Sequence, residues 1–168
     1  LESLNDQKEV LFDLVMIFPL NNVETMALAK KYNAITVEDP GSISKAVNAG
    51  IAHAKSHHEY IGWIGDDDFI TPNSLEIATK LLDADNSAVL AYGYCDYIDE
   101  HGNKLFSSRA GKLAPWLMTW GPNLVPCPGA VFRKKAIDQV GGFDENNKYS
   151  MDLDILLKLR KTGKFINT

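Results

Sequence analysis

The stretch Tyr60-Ile61-Gly62-Trp63-Ile64-Gly65-Asp66-Asp67-Asp68 joins an apolar run directly to three consecutive carboxylates. The apolar part predicts a buried strand, so the aspartates fall where that strand would meet solvent. Adjacent carboxylates repel one another unless a cation or a polar ligand joins them, and hard divalent metals prefer such oxygen donors. Because open α/β sheets bind ligands beyond the carboxyl ends of their strands, the stretch predicts a ligand site there.

Strand-like and helix-like patterns alternate along the rest of the chain, which is typical of a layered α/β domain. The predicted strands are 14–18, 34–37, 60–65, 88–94 and 130–132, and the predicted helices are 24–32, 43–54, a segment that begins at Pro72, 134–140 and 151–161. Two of these helices have a predicted N-terminal cap, Ser42 and Ser150. Residues 107–124 have no clear period, and we interpret them as a loop.

Composition limits the class of protein and its partners. The 168 residues are enough for one domain, predicted over 1–168, and 45% of them are hydrophobic. A net charge of −5 argues against general affinity for nucleic acid or an anionic membrane. Cys95 and Cys127 lie far apart in sequence, so we expect two free thiols in a reducing compartment. No apolar stretch approaches the roughly 18 residues that a membrane span requires.

The order of several segments is more specific than any one of them. They are Leu1-x-Ser3-Leu4-x-x-Gln7, Thr25-x-x-x-Ala29-Lys30-Lys31-Tyr32, Gly41 to Ile51, Glu59 to Asp68, Val125 to Glu145 and Tyr149 to Asp154. In this order they resemble the family 2 glycosyltransferases over nearly the whole chain. The resemblance implies the GT-A fold, a Rossmann-like, three-layer α/β/α domain with a mixed, mostly parallel central sheet.

The resemblance also implies a reaction. A sugar would pass from a nucleotide-diphosphate donor to a hydroxyl of a saccharide or lipid-linked acceptor, with inversion and without a glycosyl-enzyme intermediate. A divalent metal, Mn or Mg, would neutralise the diphosphate, and a carboxylate would serve as general base for the acceptor. The expected setting is cell-surface polysaccharide synthesis, in the cytoplasm or peripheral to the inner face of the membrane.

The acidic stretch supplies the expected metal and donor contacts. The family usually has Asp-x-Asp-Asp where this chain has Gly65-Asp66-Asp67-Asp68. Asp67 matches the main metal ligand, Asp68 is a second metal candidate or a cap, and Asp66 could face the ribose of the donor. The alternative interpretation is a solvated acidic turn before the next helix.

Asp152 matches the catalytic base of the family. Its alternative is that any acidic residue in the first turn of a helix is stabilised by the helix dipole, and Asp154 shares that alternative as the weaker candidate. Asp39 and Asn48 match polar positions near the nucleotide, although Asp39-Pro40-Gly41 would form a turn without any ligand.

Four other side chains have a second interpretation. His57 and His58 are adjacent, so on a helix they would point apart, which favours solvent-facing imidazoles over a metal site. Trp116 and Trp120 could stack on a sugar or pack against the domain.

The chain departs from the family pattern near its start. The resemblance begins midway through the first helix of the family, and Phe18 stands where the second strand normally ends in an Asp that contacts the base. We therefore expect a core fragment that lacks the first strand, with open sheet edges that favour self-association. Two other functions stay open, a degenerate binding or scaffold module and a sugar nucleotidyltransferase. Phe18 favours the scaffold, and nothing before Asp39 supplies the phosphate loop of the nucleotidyltransferase.

Overall fold

The computed structural model describes residues 1–109, 111–121, 123–147 and 149–168. In chain order the elements are α1 (Glu2–Asn5), β1 (Val15–Phe18), α2 (Val23–Lys31), β2 (Ile35–Glu38), α3 (Ile43–Ile51), β3 (Tyr60–Gly62), α4 (Ser74–Ala84), β4 (Ala88–Tyr92), β5 (Cys95–Ile98), β6 (Lys104–Ser108), a 3₁₀ turn (Gly111–Leu113), α5 (Ala114–Leu117), β7 (Val131–Arg133), α6 (Lys134–Val140), α7 (Met151–Leu159) and β8 (Lys164–Asn167). Within these residues, no helix combines the length and the apolar character needed to cross a membrane.

The central sheet has the strand order β3-β7-β4-β8. Strand β7 is antiparallel to both β3 and β4, whereas β8 is parallel to β4. Strands β3, β4 and β8 therefore run in one direction and β7 in the other, which confirms the predicted mixed, mostly parallel sheet. Strands β1 and β2 form a separate parallel pair, and β5 and β6 form an antiparallel hairpin.

The sheet lies between two helical layers because neighbouring residues of a strand face opposite sides. Val131 of β7 packs with Ala78 and Leu82 of α4, on one face. Phe132, the next residue, belongs to the larger core cluster on the other face, to which α3, α6 and α7 contribute. Three α7 residues of that cluster, Ile155, Leu156 and Leu159, are fully buried. This arrangement confirms the predicted layered α/β fold.

Local sequence signals explain the start of α3, and two other predicted helix starts need correction. Ser42 caps α3 as predicted, because its Oγ accepts a hydrogen bond from Lys45 N. The predicted cap at Ser150 is wrong, since its hydroxyl donates to Asn147 Oδ1 and makes no capping bond. The helix predicted to begin at Pro72 begins at Ser74, after Asn73 adopts a left-handed conformation at φ 62°.

The segment 107–124, predicted as a loop, contains α5. This short helix begins at Ala114 and has a proline in its first turn, where a missing N–H costs no hydrogen bond. Ala114 and Met118 are buried against the large core cluster. The loop prediction is therefore wrong for this part, and at Ala110 and Pro122 it lies outside the described residues.

Strands β1 and β3 each have one open edge in the described part of the chain. Val15 and Ile17 of β1 direct their backbone groups away from β2, and Tyr60 and Gly62 of β3 direct theirs away from β7. The alternate residues face the partner strands instead. On the β2 side, the carbonyls of Leu14 and Phe18 accept hydrogen bonds, and on the β7 side those of Glu59 and Trp63 do.

Candidate functional site

The acidic run turns sharply at the carboxyl end of β3. Asp68 Oδ2 accepts a hydrogen bond from Gly65 N at 2.9 Å, and Asp68 N donates to Gly65 O at 3.4 Å. Asp66 and Asp67 are exposed, and Asp68 is half-buried. The turn therefore presents two neighbouring carboxylates to solvent while the third, Asp68, closes the turn.

Gly65 leaves a small cradle beneath two of these carboxylates. A Cβ atom at Gly65 would lie 2.7 Å from Asp67 Oδ1 and 3.0 Å from Asp68 Oδ2. A side chain at position 65 would therefore collide with both oxygens, which explains the glycine. The exposed carboxylates of Asp66 and Asp67 are oxygen donors of the kind that Mg²⁺ or Mn²⁺ accepts, so the acidic run fits the divalent metal that the resemblance implies.

Asp152 lies in the first turn of α7 and is half-buried. Burial raises the pKa of its carboxyl group, and a weaker interaction with the Cys127 thiol opposes that rise. Its Oδ1 is buried and has no hydrogen-bond partner among the described residues. A carboxylate with a raised pKa and a partner-free oxygen is suited to accept a proton.

Asp154, the weaker base candidate, has a partner of its own. Its Oδ2 lies 2.6 Å from Lys158 Nζ, one turn further along α7. The ion pair directs this carboxylate along the helix, toward Lys158. The geometry therefore favours Asp152 over Asp154 as the group available to a substrate.

One turn connects the acidic run to Asp152. Trp63, at the end of β3, accepts a hydrogen bond from Gly129 N through its carbonyl at 2.9 Å. Ala130 N donates to Cys127 O in the same turn at 3.1 Å, and the Cys127 side chain lies beside Asp152. Through this turn, the segment that follows β3 and the first turn of α7 are in contact, although they are distant in sequence.

Asn48 holds two distant segments together. Its Nδ2 donates to Phe143 O at 2.8 Å and to Glu145 Oε1 at 3.1 Å, and its Oδ1 accepts from Phe143 N at 3.0 Å. The amide thereby attaches α3 to the segment that leads into α7. This contact was not foreseen, and donor binding by Asn48 stays a prediction.

Asn48→Ala should lower the free energy of unfolding by about 1–3 kcal/mol, because both backbone groups of Phe143 lose a partly buried partner. Urea denaturation measures the change. Lys45→Ala, an exposed position on the same helix, is the matched control. Equal stability of the two variants would contradict the assigned role of Asn48.

Asp39 lies where β1 and β2 end side by side. Its backbone N donates to Phe18 O at 3.3 Å, and its Oδ1 accepts from Gly41 N at 2.8 Å. The second contact is the self-contained turn that the sequence offered as the alternative to donor binding. Phe18 is only 8% exposed, so the position where the family has a polar base contact is part of the core here.

A second cluster lies before β1 and β3. Asp13, His57 and His58 lie close enough together to hold a metal ion. Asp13 Oδ2 is 2.8 Å from Lys55 Nζ and 3.3 Å from His58 Nε2. The backbone N of Lys55 donates to His58 Nδ1, so the proton of a neutral His58 ring is on Nε2, facing Asp13. These contacts account for the positions of Asp13 and His58.

The expectation that the two imidazoles point apart on a helix is wrong. His57 and His58 follow the end of α3 in a turn, and their ring centroids are 4.3 Å apart. Trp116 and Trp120 are 57% and 81% exposed, so neither is buried in the core and sugar stacking by them stays a prediction.

Sequence reasoning missed two polar groups near Asp152 and the acidic run. Cys127 was interpreted only as a free thiol, and its contact with Asp152 has no signal in the spacing of the two residues. Trp63 was assigned to a strand, and its buried indole Nε1 has no hydrogen-bond partner among the described residues. An aromatic residue with a polar N–H, three positions before Asp66, was the available signal for Trp63.

Known proteins resemble this chain both in sequence and in structure. The family model described as "Glycosyltransferase like family 2" matches residues 20–168. An uncharacterized glycosyltransferase of Rickettsia typhi is 31% identical over 139 residues, which cover 75% of this chain and 41% of that protein. The chain therefore spans about two fifths of the length of this relative.

Solved structures share the fold at low sequence identity. TarS of S. aureus in complex with UDP has a TM-score of 0.76 at 16% identity, over 99% of this chain and 52% of that one. The mannosyltransferase PcManGT of Pyrobaculum calidifontis, in complex with GDP-Man and Mn²⁺, has a TM-score of 0.70 at 15% identity, over 99% and 49%. At such identities the likeness confirms the predicted fold.

Proposed function

The chain belongs to the glycosyltransferase-like family 2, and from that premise we propose that it transfers a sugar from a nucleotide-diphosphate donor to a hydroxyl acceptor. The observation that carries the proposal is the acidic run Asp66-Asp67-Asp68 beyond the carboxyl end of β3, with Asp66 and Asp67 exposed to solvent. This is the edge of an α/β sheet at which ligands bind. The nucleotide and metal complexes of TarS and PcManGT support the same assignment.

The acidic run would hold the donor side of the reaction. Asp67 and Asp68 would bind a divalent cation, Mn or Mg, which when bound neutralises charge on the donor diphosphate. Asp66, exposed beside them, would contact the ribose, and Asp39 and Asn48 are the other proposed donor contacts. Part of the contribution of Asn48 to donor binding would be indirect, because its side chain attaches the segment that leads into α7 to α3.

Asp152 would act on the acceptor side. The Asp152 carboxylate would accept the hydrogen bond of an acceptor hydroxyl and then its proton as the new glycosidic bond forms. Burial raises the pKa of this carboxyl, so it is a better proton acceptor than an exposed aspartate. A single displacement with one general base inverts the anomeric centre. We propose that the product belongs to cell-surface polysaccharide synthesis, with a saccharide or lipid-linked acceptor in the cytoplasm or at the inner face of the membrane.

The test is release of nucleotide diphosphate from UDP- and GDP-sugars in the presence of Mn²⁺ and a panel of hydroxyl acceptors. Acceptor-dependent release supports a transferase. Absence of release together with absence of nucleotide binding would instead support the degenerate scaffold, which the buried Phe18 favours.

We also propose that the open edges of β1 and β3 pair with strands of another copy. Among the described residues, nothing pairs with the outward backbone groups of Val15, Ile17, Tyr60 and Gly62, and such edges template intermolecular pairing. Light scattering should show a mass that rises with protein concentration. A strictly monomeric mass at high concentration would contradict this proposal.

A further inference from the structure

We propose that an exposed apolar face at α5 docks the domain on an anionic membrane surface. This face, the α5 face, consists of Leu113, Trp116, Leu117 and Trp120, which are 68%, 57%, 38% and 81% exposed. The inference rests on the proposed function only for the membrane at which a lipid-linked acceptor would lie. The face itself is a property of the fold and needs no donor, metal or acceptor.

The four residues of the α5 face recur at helical spacing. Positions 113, 116, 117 and 120 are related as i, i+3, i+4 and i+7, which places them on one side of a helix. The helical path continues beyond α5, since Met118 N donates to Ala114 O at 3.0 Å and Trp120 N donates to Leu117 O at 2.9 Å. One apolar stripe therefore runs from the 3₁₀ turn to Trp120.

The opposite side of this segment is fixed to the domain. Ala114 and Met118 are buried in the large core cluster. The hydroxyl of Tyr92, at the end of β4, donates to Gly111 O at 2.6 Å, and the guanidinium of Arg160, at the end of α7, donates to the hydroxyl of Thr119. Because contacts hold both ends of the segment, the fold itself keeps the α5 face toward solvent.

The composition of the α5 face fits a lipid interface better than a sugar. Trp is enriched where a membrane meets water, because its ring is apolar and its indole N–H is polar, and Leu enters the acyl boundary beside it. Stacking on a sugar would use the two indole rings and would leave Leu113 and Leu117 without a role. Exposed apolar patches that combine such residues mark interaction sites.

The charge around α5 complements an anionic surface. Between Glu100 and Asp138 the sequence has Lys and Arg residues but no Asp or Glu, although the whole chain has a net charge of −5. Arg109 is exposed just before the 3₁₀ turn, and the exposed Lys161 follows Arg160. Basic side chains are attracted to anionic lipid within a Debye length, about 10 Å at 0.1 M salt. This segment is therefore the local exception to a net charge that disfavours anionic membranes.

The experiment measures co-sedimentation of the full chain with vesicles of phosphatidylcholine alone and of equal parts phosphatidylcholine and phosphatidylglycerol, at low and high NaCl. We expect binding to the mixed vesicles that weakens at high NaCl. Trp120→Ala should lower the partition coefficient about tenfold, and Leu113→Ala should lower it several-fold, because each removes apolar area that the membrane would bury. Leu11→Ala, the same change at a fully exposed leucine before β1, is the matched control and should bind as the wild type does.

Absence of binding to either vesicle, binding that ignores phosphatidylglycerol and salt, or equal binding by Trp120→Ala and the wild type would overturn the inference. If Trp120→Ala fails to fold, Trp120→Gln takes its place. Quenching of indole fluorescence by a soluble oligosaccharide, lost in Trp120→Ala but kept in Leu113→Ala, together with absence of vesicle binding, would assign the face to a sugar instead.

The inference and the proposed function can fail separately. Vesicle binding through the α5 face by a protein that transfers no sugar would sustain the docking and refute the proposed function. Sugar transfer by a protein that binds neither vesicle would sustain the proposed function and refute the docking.

Discussion

Asp152→Asn should reduce sugar transfer by about 10²–10⁴-fold while leaving donor affinity unchanged, because it removes the general base and keeps the shape of the side chain. The reduction corresponds to about 3–5 kcal/mol of lost transition-state stabilisation. Release of nucleotide diphosphate with saturating acceptor measures the effect. The loss belongs to kcat, since Asp152 lies in α7 and not in the acidic run that would bind the donor.

Asp154→Asn is the matched control. It makes the same chemical change two residues along the helix, at a carboxylate already paired with Lys158. Its transfer rate should stay within a few-fold of the wild type. Equal losses in the two variants would show that the effect comes from helix stability and would contradict the role of Asp152.

The raised pKa of Asp152 adds two expectations about pH. The base must be deprotonated, so turnover should rise with pH as the carboxyl ionises, at a higher pH than an exposed aspartate would require. A raised pKa also means that the folded state binds this proton more tightly than the unfolded state, so the group destabilises the fold as pH rises through its pKa. Asp152→Asn should therefore keep or raise the thermal midpoint at neutral pH.

Sequence patterns predicted the fold well where burial is periodic. Alternating apolar segments indicated the strands and helices, and local side-chain chemistry identified the cap at Ser42. The same reasoning failed at Ser150. Asn147 Oδ1 accepts hydrogen bonds from both the backbone N and the hydroxyl of Ser150, so that hydroxyl does not cap the helix. Whether another side chain binds the capping hydroxyl depends on the path of the loop before the helix, and the helix-capping preferences of single residues do not predict that path.

The candidate site shows a similar division. Asp67, Asp68 and Asp152 were found because a motif marks each of them, and their roles stay predictions. The contacts of Cys127 and Asn48 were missed, since they join residues that only the folded chain brings together. Asn48 and Phe143 are 95 positions apart, and their hydrogen bonds need both backbone groups of Phe143 to face α3.

Asp67→Ala should abolish the Mn²⁺ dependence of donor binding and weaken that binding by at least about 100-fold. Asp67 is an exposed carboxylate of the acidic run and the proposed metal ligand, and even the loss of a group that only supports a metal ligand costs about 10–100-fold in affinity. Glu100→Ala, in the exposed turn between β5 and β6, removes the same charge and is the control. It should bind the donor as the wild type does.

Calorimetric titration of UDP and GDP into wild type and Asp67→Ala, with and without Mn²⁺, is the most direct test of the claim that the acidic run after β3 is a metal-dependent donor site. The account predicts saturable binding by the wild type that requires Mn²⁺ and is lost in Asp67→Ala. Nucleotide binding of equal strength in the two proteins, or binding by the wild type that ignores the metal, would contradict it.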